Sequence, residues 1–372
     1  MTKEKIIYLR LLKNGLLRPF DSVQSCIHNL IGIQSQHQQF GEISIFNRTK
    51  PVLDPKTLTD LYSSHKIVKT WGQRTTVHMY GIEDWENISD VFFGSIPVVN
   101  KCRNENPEEF DRLLALLDKE GQKKKILSKK DILEITEKNS GGFSFDNNGL
   151  MYTLILQSTL SGVLFGLPEM PHTKSFIHYD SVNKKKWKFD IDKHKETLKN
   201  IMLRYFTYYS PATLADFCHW SGLKKSFVEE KFNEIKNSLE EFSFDNKKYY
   251  LTKNDEDFLS LKNSDRFNDN KEVLLLGKFD PLFVCYKHKD WIASPVQEKE
   301  VWRTSAIIEA VLLLGNRLSG TWRYETKGKN MNFKFFMFEK INASEKKKII
   351  KKAENLALFQ KKNINEINFD SY

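Results

Sequence analysis

The chain has 372 residues, 40% hydrophobic and 13% aromatic, with a formal net charge of +10. That is enough apolar material for two or three cored domains and too much for wholesale disorder. The positive charge favours polyanionic partners, while no apolar run reaches the roughly 18–20 residues a membrane span needs, the richest (306–315) being interrupted by Glu309.

In chain order, an amphipathic helix is expected at Glu4–Leu12, with no secretory leader before it. Asp21 and Gln24 are spaced to open a second helix running to about Ile33, and Asp54-Pro55 starts a third. Two strands, Ile67–Trp71 and Thr75–Tyr80, follow as a wing-like hairpin. At about 126–180, Ser128 and Asp131 are spaced to cap a helix over Asp131–Lys138, stopped by Gly141-Gly142. An apolar helix over Leu150–Leu160 and strands at Val163–Phe165 and Phe176–Tyr179 complete this stretch.

The clearest unit lies at 192–253. Leu198, Ile201, Met202, Tyr205, Phe206 and Tyr209 recur at offsets of three and four, the mark of one buried helical face. Thr213 and Asp216 form a capping box for a short helix ending near Trp220, and Ser221-Gly222 supplies the turn. A third helix points Phe227, Val228, Phe232, Ile235 and Leu239 inward, and a hairpin turns at 245–247. Three helices and a hairpin is the order of a winged helix. Beyond 270, Val273–Leu276, Leu282–Tyr286, Ala310–Leu314 and Gly320–Tyr324 are expected as strands, with Gly315-Asn316 as a hairpin turn. A strand pair at Asn332–Phe338 and a helix near Ala343–Leu358 end the series.

The expected fold class is therefore α+β and predominantly helical, with tandem winged helix–turn–helix units and a C-terminal β-rich region. Its regions are winged helix 1 at 1–85, winged helix 2 at 86–185, winged helix 3 at 186–262, and the β-rich region with its terminal helix at 263–372. Cys26, Cys102, Cys218 and Cys285 are far apart with no C-x-x-C pair, which suits a reducing compartment, the cytoplasm, and gives no zinc spacing. Neither a metal nor a cofactor is expected. Lysine runs at 123–125, 184–186 and 346–348 are most simply solvated charge.

No familiar catalytic framework is evident. The unusual composition is Gln34-Ser35-Gln36-His37-Gln38-Gln39, just past an apolar helix. An amide carries one acceptor oxygen and two donor hydrogens, so glutamine can hold a water or a base edge without titrating; a polar helix end bonding the backbone is the plainer alternative. Leu30-Ile31-Gly32-Ile33-Gln34-Ser35-Gln36 resembles the G-x-Q-x-Q segment of the AlkZ-like (YcaQ) DNA glycosylases, a family of tandem winged helices. The 68–78 stretch (VKTWGQRTTVH) resembles that family's hairpin. The 210–217 stretch (SPATLADF) followed by Trp220-Ser221-Gly222-Leu223 resembles its helix turn. Phe279-Asp280-Pro281 and Gly320-Thr321-Trp322-Arg323 resemble its C-terminal motifs.

The resemblance implies hydrolysis of the N-glycosidic bond of alkylated purines, and in some members the unhooking of interstrand crosslinks. It places the two motif glutamines on Gln34 and Gln36 as catalytic residues, with Ser35 where the family usually has a small apolar residue. Arg74, His78, Arg323 and Lys69 are the expected DNA-binding residues, the guanidinium groups because a planar fork can bind two phosphate oxygens. The implied partner is double-stranded DNA carrying alkylated or crosslinked bases, bound by a monomer on the nucleoid, with no membrane association. Asp280 suits a turn better than catalysis, and Trp71, Trp220 and Trp322 suit the core. A transcription regulator and a non-catalytic lesion binder are the alternatives. Glu229, Glu230 and Glu234 on the third helix of the clearest unit count against a groove-reading regulator.

Overall fold

The computed structural model describes all residues except 51–52, 94–104, 106, 140–148, 169–174, 183, 189, 263 and 265. The chain forms two compact units. Unit 1 combines Met1–Leu58 with Met202–Tyr372, and unit 2 is Thr59–Ile201. The Gly141-Gly142 stop expected after the second capped helix lies outside the described residues.

The N-terminal part of unit 1 holds α1 (Lys3–Lys13), α2 (Val23–Asn29), the short strand β1 (Ile33–Gln34) and α3 (Gln38–Phe46), and α4 (Pro55–Ser63) follows. Helix α2 is capped by Ser22, whose hydroxyl accepts from the Ser25 amide while Ser25 answers in kind, so Asp21 is not the cap. The helix also ends four residues before Ile33, because Ile31 and Gly32 take positive φ and turn the chain out.

Unit 2 contains strands β2 (Ile67–Trp71), β3 (Val77–Gly81), β4 (Ile126–Ser128), β5 (Leu164–Gly166) and β6 (Ser175–His178). They lie in the order β3-β2-β5-β6-β4. Helices α5 (Trp85–Phe92), α6 (Pro107–Lys124), α7 (Lys129–Asn139) and α8 (Gly149–Leu160) accompany them. Val68, Ile82, Trp85, Phe165 and Ile177 make its apolar centre. The Ser128–Asp131 box forms as expected, at 2.8 and 3.0 Å.

Helix α9 (Ile191–Tyr208) carries the periodic face that the spacing predicts, with Leu198, Ile201, Met202, Tyr205 and Phe206 all buried. In unit 1 it leads to α10 (Leu214–Ser221), α11 (Lys225–Ile235) and the hairpin β7 (Leu239–Phe244) and β8 (Lys247–Thr252). The Thr213–Asp216 capping box is present, and Asp245 and Asn246 turn the hairpin with φ of 48° and 56°. Phe227 departs from expectation: it sits one position off the buried stripe of Val228, Phe232 and Ile235 and is 45% exposed. After α12 (Glu256–Lys262) come β9 (Val273–Leu276), α13 (Pro281–Val284), α14 (Pro295–Val301), the short ribbon β10 (Trp302–Arg303) and β11 (Ile307–Ile308), β12 (Val311–Leu314), β13 (Arg317–Lys327), β14 (Asn330–Met337), α15 (Ala343–Phe359) and β15 (Asn363–Ser371).

Five of these strands form one sheet in the order β15-β14-β13-β12-β9, antiparallel except for the parallel β14–β15 pair. Two expectations are corrected. Leu282–Tyr286 begins as the helix α13, because Asp280 caps it and Pro281 at its first position is pre-set for helix rather than strand. Asn332–Phe338 is not a pair but most of one long strand, β14; its second neighbour is the polar strand β15, which the apolar pattern does not reveal.

Candidate active site

In unit 1 the Gln-x-Gln segment is held from both ends. Upstream, the Leu30 carbonyl accepts from the Tyr209 hydroxyl at 2.8 Å. Ile31 and Gly32 then reverse the chain, their amides bonded to the carbonyls of His28 and Ile27. Gln34 lies in β1 and is 7% exposed, Ser35 is buried with no hydrogen-bond partner for its hydroxyl among the described residues, and Gln36 and His37 face outward. The segment therefore offers one shielded amide and one accessible amide two residues apart.

Downstream, α3 fixes it. Phe40, Ser44 and Arg48 stand four residues apart and so share a helical face. The Phe40 ring meets Tyr324 edge-on at 5.9 Å and lies against Gly277, where a Cβ would come within 3.1 Å of its ring and carbonyl. Ser44 Oγ donates to Asp280 Oδ2 at 3.2 Å. Arg48 just past the helix donates to Asp280 through two nitrogens, at 2.6 and 2.9 Å, and to Asn14 Oδ1 at 2.7 Å. Both members of this ion pair are wholly buried. Burial opposes the charge on Arg48, but the adjacent Asp280 carboxylate outweighs it and raises the arginine's pKa. The His37 ring stacks on Phe279 at 6.1 Å. The Phe-Asp-Pro motif thus supports the glutamine segment on two sides, and Asp280 is a structural anchor rather than a carboxylate presented to a substrate. Sequence reasoning missed Arg48; the four-residue spacing from Phe40 was the one available sign.

Arg323 lies on β13 beside Trp322, whose indole N–H bonds the carbonyls of Leu276 and Val311 at 2.9 and 3.1 Å inside the sheet. Trp71, Trp220 and Trp322 are all buried, as core residues should be. Arg323 itself is exposed and pairs with Glu309 at 3.0 Å. Its neighbour Tyr324 carries the Phe40 contact on the opposite face of the strand from Arg323.

The other three expected residues share the β2–β3 hairpin of unit 2, where Lys69 faces Met79 and Thr70 faces His78 in register. Arg74 sits in the connection at φ 54°, half-buried. His78 is buried, and its Nδ1–H donates to the Thr76 carbonyl at 2.9 Å. Burial first, and the charge of Arg74 second, lower its pKa to about 3. It is therefore a neutral ring whose Nε2 carries a lone pair, suited to hydrogen bonding rather than to neutralising phosphate. Lys69, expected on DNA, is 1% exposed: all five residues of β2 are buried, so the strand holds its side chain inside. The remainder of this connection is equally fixed, with the Tyr80 hydroxyl donating to the buried Gln73 amide oxygen.

Among the described residues, no three or more His, Cys, Asp or Glu side chains are gathered as a metal site requires, and no helix is long and apolar enough to cross a membrane.

No curated protein matches the chain in sequence. The solved structure of the Streptomyces sahachiroi DNA glycosylase AlkZ is similar in fold, with a TM-score of 0.78 over 99% of both chains at 17% identity. The family model described as "DNA glycosylase AlkZ-like" matches residues 27–359, from the end of α2 to the end of α15. The chain belongs to the AlkZ-like DNA glycosylase family.

Proposed function

We propose that this DNA glycosylase hydrolyses the N-glycosidic bond of cationic, N7-alkylated purines in double-stranded DNA, with Gln34 and Gln36 as its catalytic residues. The observation that carries the proposal is the mounting of the segment: two amides, one shielded and one accessible, on a short segment anchored through Tyr209, Phe279 and the Arg48–Asp280 pair. An amide cannot remove a proton at neutral pH; it can orient water and place carbonyl dipoles against developing positive charge on the sugar. Such a site suffices only when the base leaves without help. An N7-alkylated guanine already carries a positive charge and departs neutral, so protonation by an acid is not needed. The route is monofunctional, water being the nucleophile. Opening an interstrand crosslink between such purines is the same bond cleavage, and we include it in the proposal.

DNA is held, in this reading, by winged-helix units within the regions 1–85, 86–185 and 186–262, with Arg74 and Arg323 as phosphate ligands and His78 as a neutral hydrogen-bonding group. Helix α11 serves as scaffold: its acids are internally matched, Glu229 with Lys225 at 3.4 Å and Glu230 and Glu234 with Lys231. The +10 charge and the DNA substrate fit a monomer working on the nucleoid.

A duplex carrying a single N7-methylguanine tests this. Excess protein followed by mild alkali is expected to break the strand at the lesion, and an intact strand refutes the proposal. Gln34→Ala and Gln36→Ala should each suppress breakage while duplex binding persists; full activity in both would show the site lies elsewhere.

A further inference from the structure

Glu309 interrupts the most apolar run of the sequence, and nothing in the reaction proposed above uses it. In unit 1 it stands just after the β10–β11 ribbon, with its amide bonded to the Val301 carbonyl. Three cations converge on its carboxylate: Lys278 Nζ at 3.0 Å, Arg323 Nη2 at 3.0 Å and Arg303 Nε at 4.0 Å. Their exposures differ sharply. The Glu309 side chain is 7% exposed, whereas those of Lys278, Arg303 and Arg323 are 25%, 38% and 52% exposed. The acid forms the floor and the cations form the outer face.

Charge and hydrogen bonding both leave this face incomplete. Glu300 answers Arg303 at 2.7 Å, so two carboxylates serve three cations. Arg303 Nε is buried and makes no hydrogen bond among the described residues. On the sheet, Arg323 stands directly opposite Lys334 in register, and like charges so placed repel unless an anion joins them. Asp370 takes up Lys334 at 2.9 Å but lies on the far side, on β15. Phe279, the residue after Lys278, stacks on His37, while Tyr324, the residue after Arg323, meets Phe40 from the opposite face of β13.

We infer that Lys278, Arg303 and Arg323, organised by Glu309, form a preassembled cradle for a DNA phosphodiester. The assignment adds Lys278 and Arg303 as phosphate ligands and Glu309 as a positioning residue, and it rests on the reading that the chain works on duplex DNA. The carboxylate keeps three long side chains converged before DNA arrives, which reduces the ordering that binding would otherwise require. The arginines supply planar forks, and the lysine a point charge.

The test is the salt dependence of binding to an undamaged duplex, a quantity independent of base release. Removing one phosphate ligand lowers the slope of log K against log salt by about 1. Lys278→Ala and Arg303→Ala should each produce that drop, Arg303→Lys should largely keep the slope, and Lys347→Ala, an exposed lysine on α15, should leave it as it is. Glu309→Gln should weaken binding although it adds a positive charge to the cluster. Wild-type slopes in both alanine variants, or an equal drop in Lys347→Ala, overturn the cradle, and tighter binding by Glu309→Gln overturns the positioning role. Melting temperatures recorded alongside identify any variant that fails to fold, in which case the milder Lys278→Gln and Arg303→Gln variants, which also remove the charge, carry the comparison. Reduced slopes in a protein that releases no base would uphold the cradle and refute the glycosylase chemistry, so the two can fail separately.

Discussion

Replacing Arg48 with Met should destabilise unit 1 by about 3–5 kcal/mol, the usual consequence of stranding one member of a buried ion pair. The magnitude follows from what the substitution leaves behind. Arg48 satisfies both oxygens of Asp280, the side chain and carbonyl of Asn14 and the carbonyl of Ser44. Without it, Asp280 keeps, among the described residues, the Ser44 hydroxyl at 3.2 Å and the Leu282 amide at 3.0 Å, with its side chain wholly buried. Met restores the apolar volume but no donor. Urea unfolding with linear extrapolation measures the loss, and a cycle with Asp280→Asn isolates the pair. Because the double variant strands no charge, it should be less destabilised than the sum of the singles, by about 0.5–3 kcal/mol. A single-variant loss below about 1 kcal/mol, or strict additivity, would refute the anchoring role assigned to this pair.

Three further outcomes are expected. His78 titrates near 3 when folded and at 6.5 when unfolded, so below pH 6.5 the unfolded chain takes up the proton first. Stability of unit 2 is then intact above 6.5 and falls as pH drops towards 3, by roughly 1.4 kcal/mol per pH unit; His78→Gln should flatten urea midpoints over that window, and parallel profiles would exclude the residue. Gly320→Ala places a Cβ 2.4 Å from the Phe336 carbonyl oxygen, and should cost about 1–3 kcal/mol in thermal unfolding through displacement of β14. Asn246→Val forces a β-branched residue into φ 56° and should cost about 1–2 kcal/mol in the same assay, while Asn246→Gly should be tolerated.

What could be seen in the sequence was local. The Thr213–Asp216 box, the α9 stripe and the Asp245–Asn246 turn each depend on residues a few positions apart, and all appear in the structure. The glutamine segment stood out by composition alone. The failures share a different cause. The partner of Arg48 lies 232 residues away, and the three cations around Glu309 come from separate strands and loops, so no window of sequence joins them. β15 alternates polar and half-buried positions at the edge of a sheet and carries no apolar signature. Lys69 misled in the opposite direction, because a lysine is rarely enclosed on both faces of a strand.

Unit 1 is assembled from two stretches of chain with all of unit 2 between them. At about 5–20 residues per second of synthesis, Arg48 emerges on the order of tens of seconds before Asp280. Unit 2 is continuous and can reach its fold during that interval. Arg48 must wait, its guanidinium wetted and unmatched by a carboxylate until Asp280 has been made. A nascent chain stalled before Asp280 should therefore present a protected unit 2 and a protease-sensitive α3 end around Arg48, so the buried anchor of the candidate active site is among the last parts of the molecule to take shape.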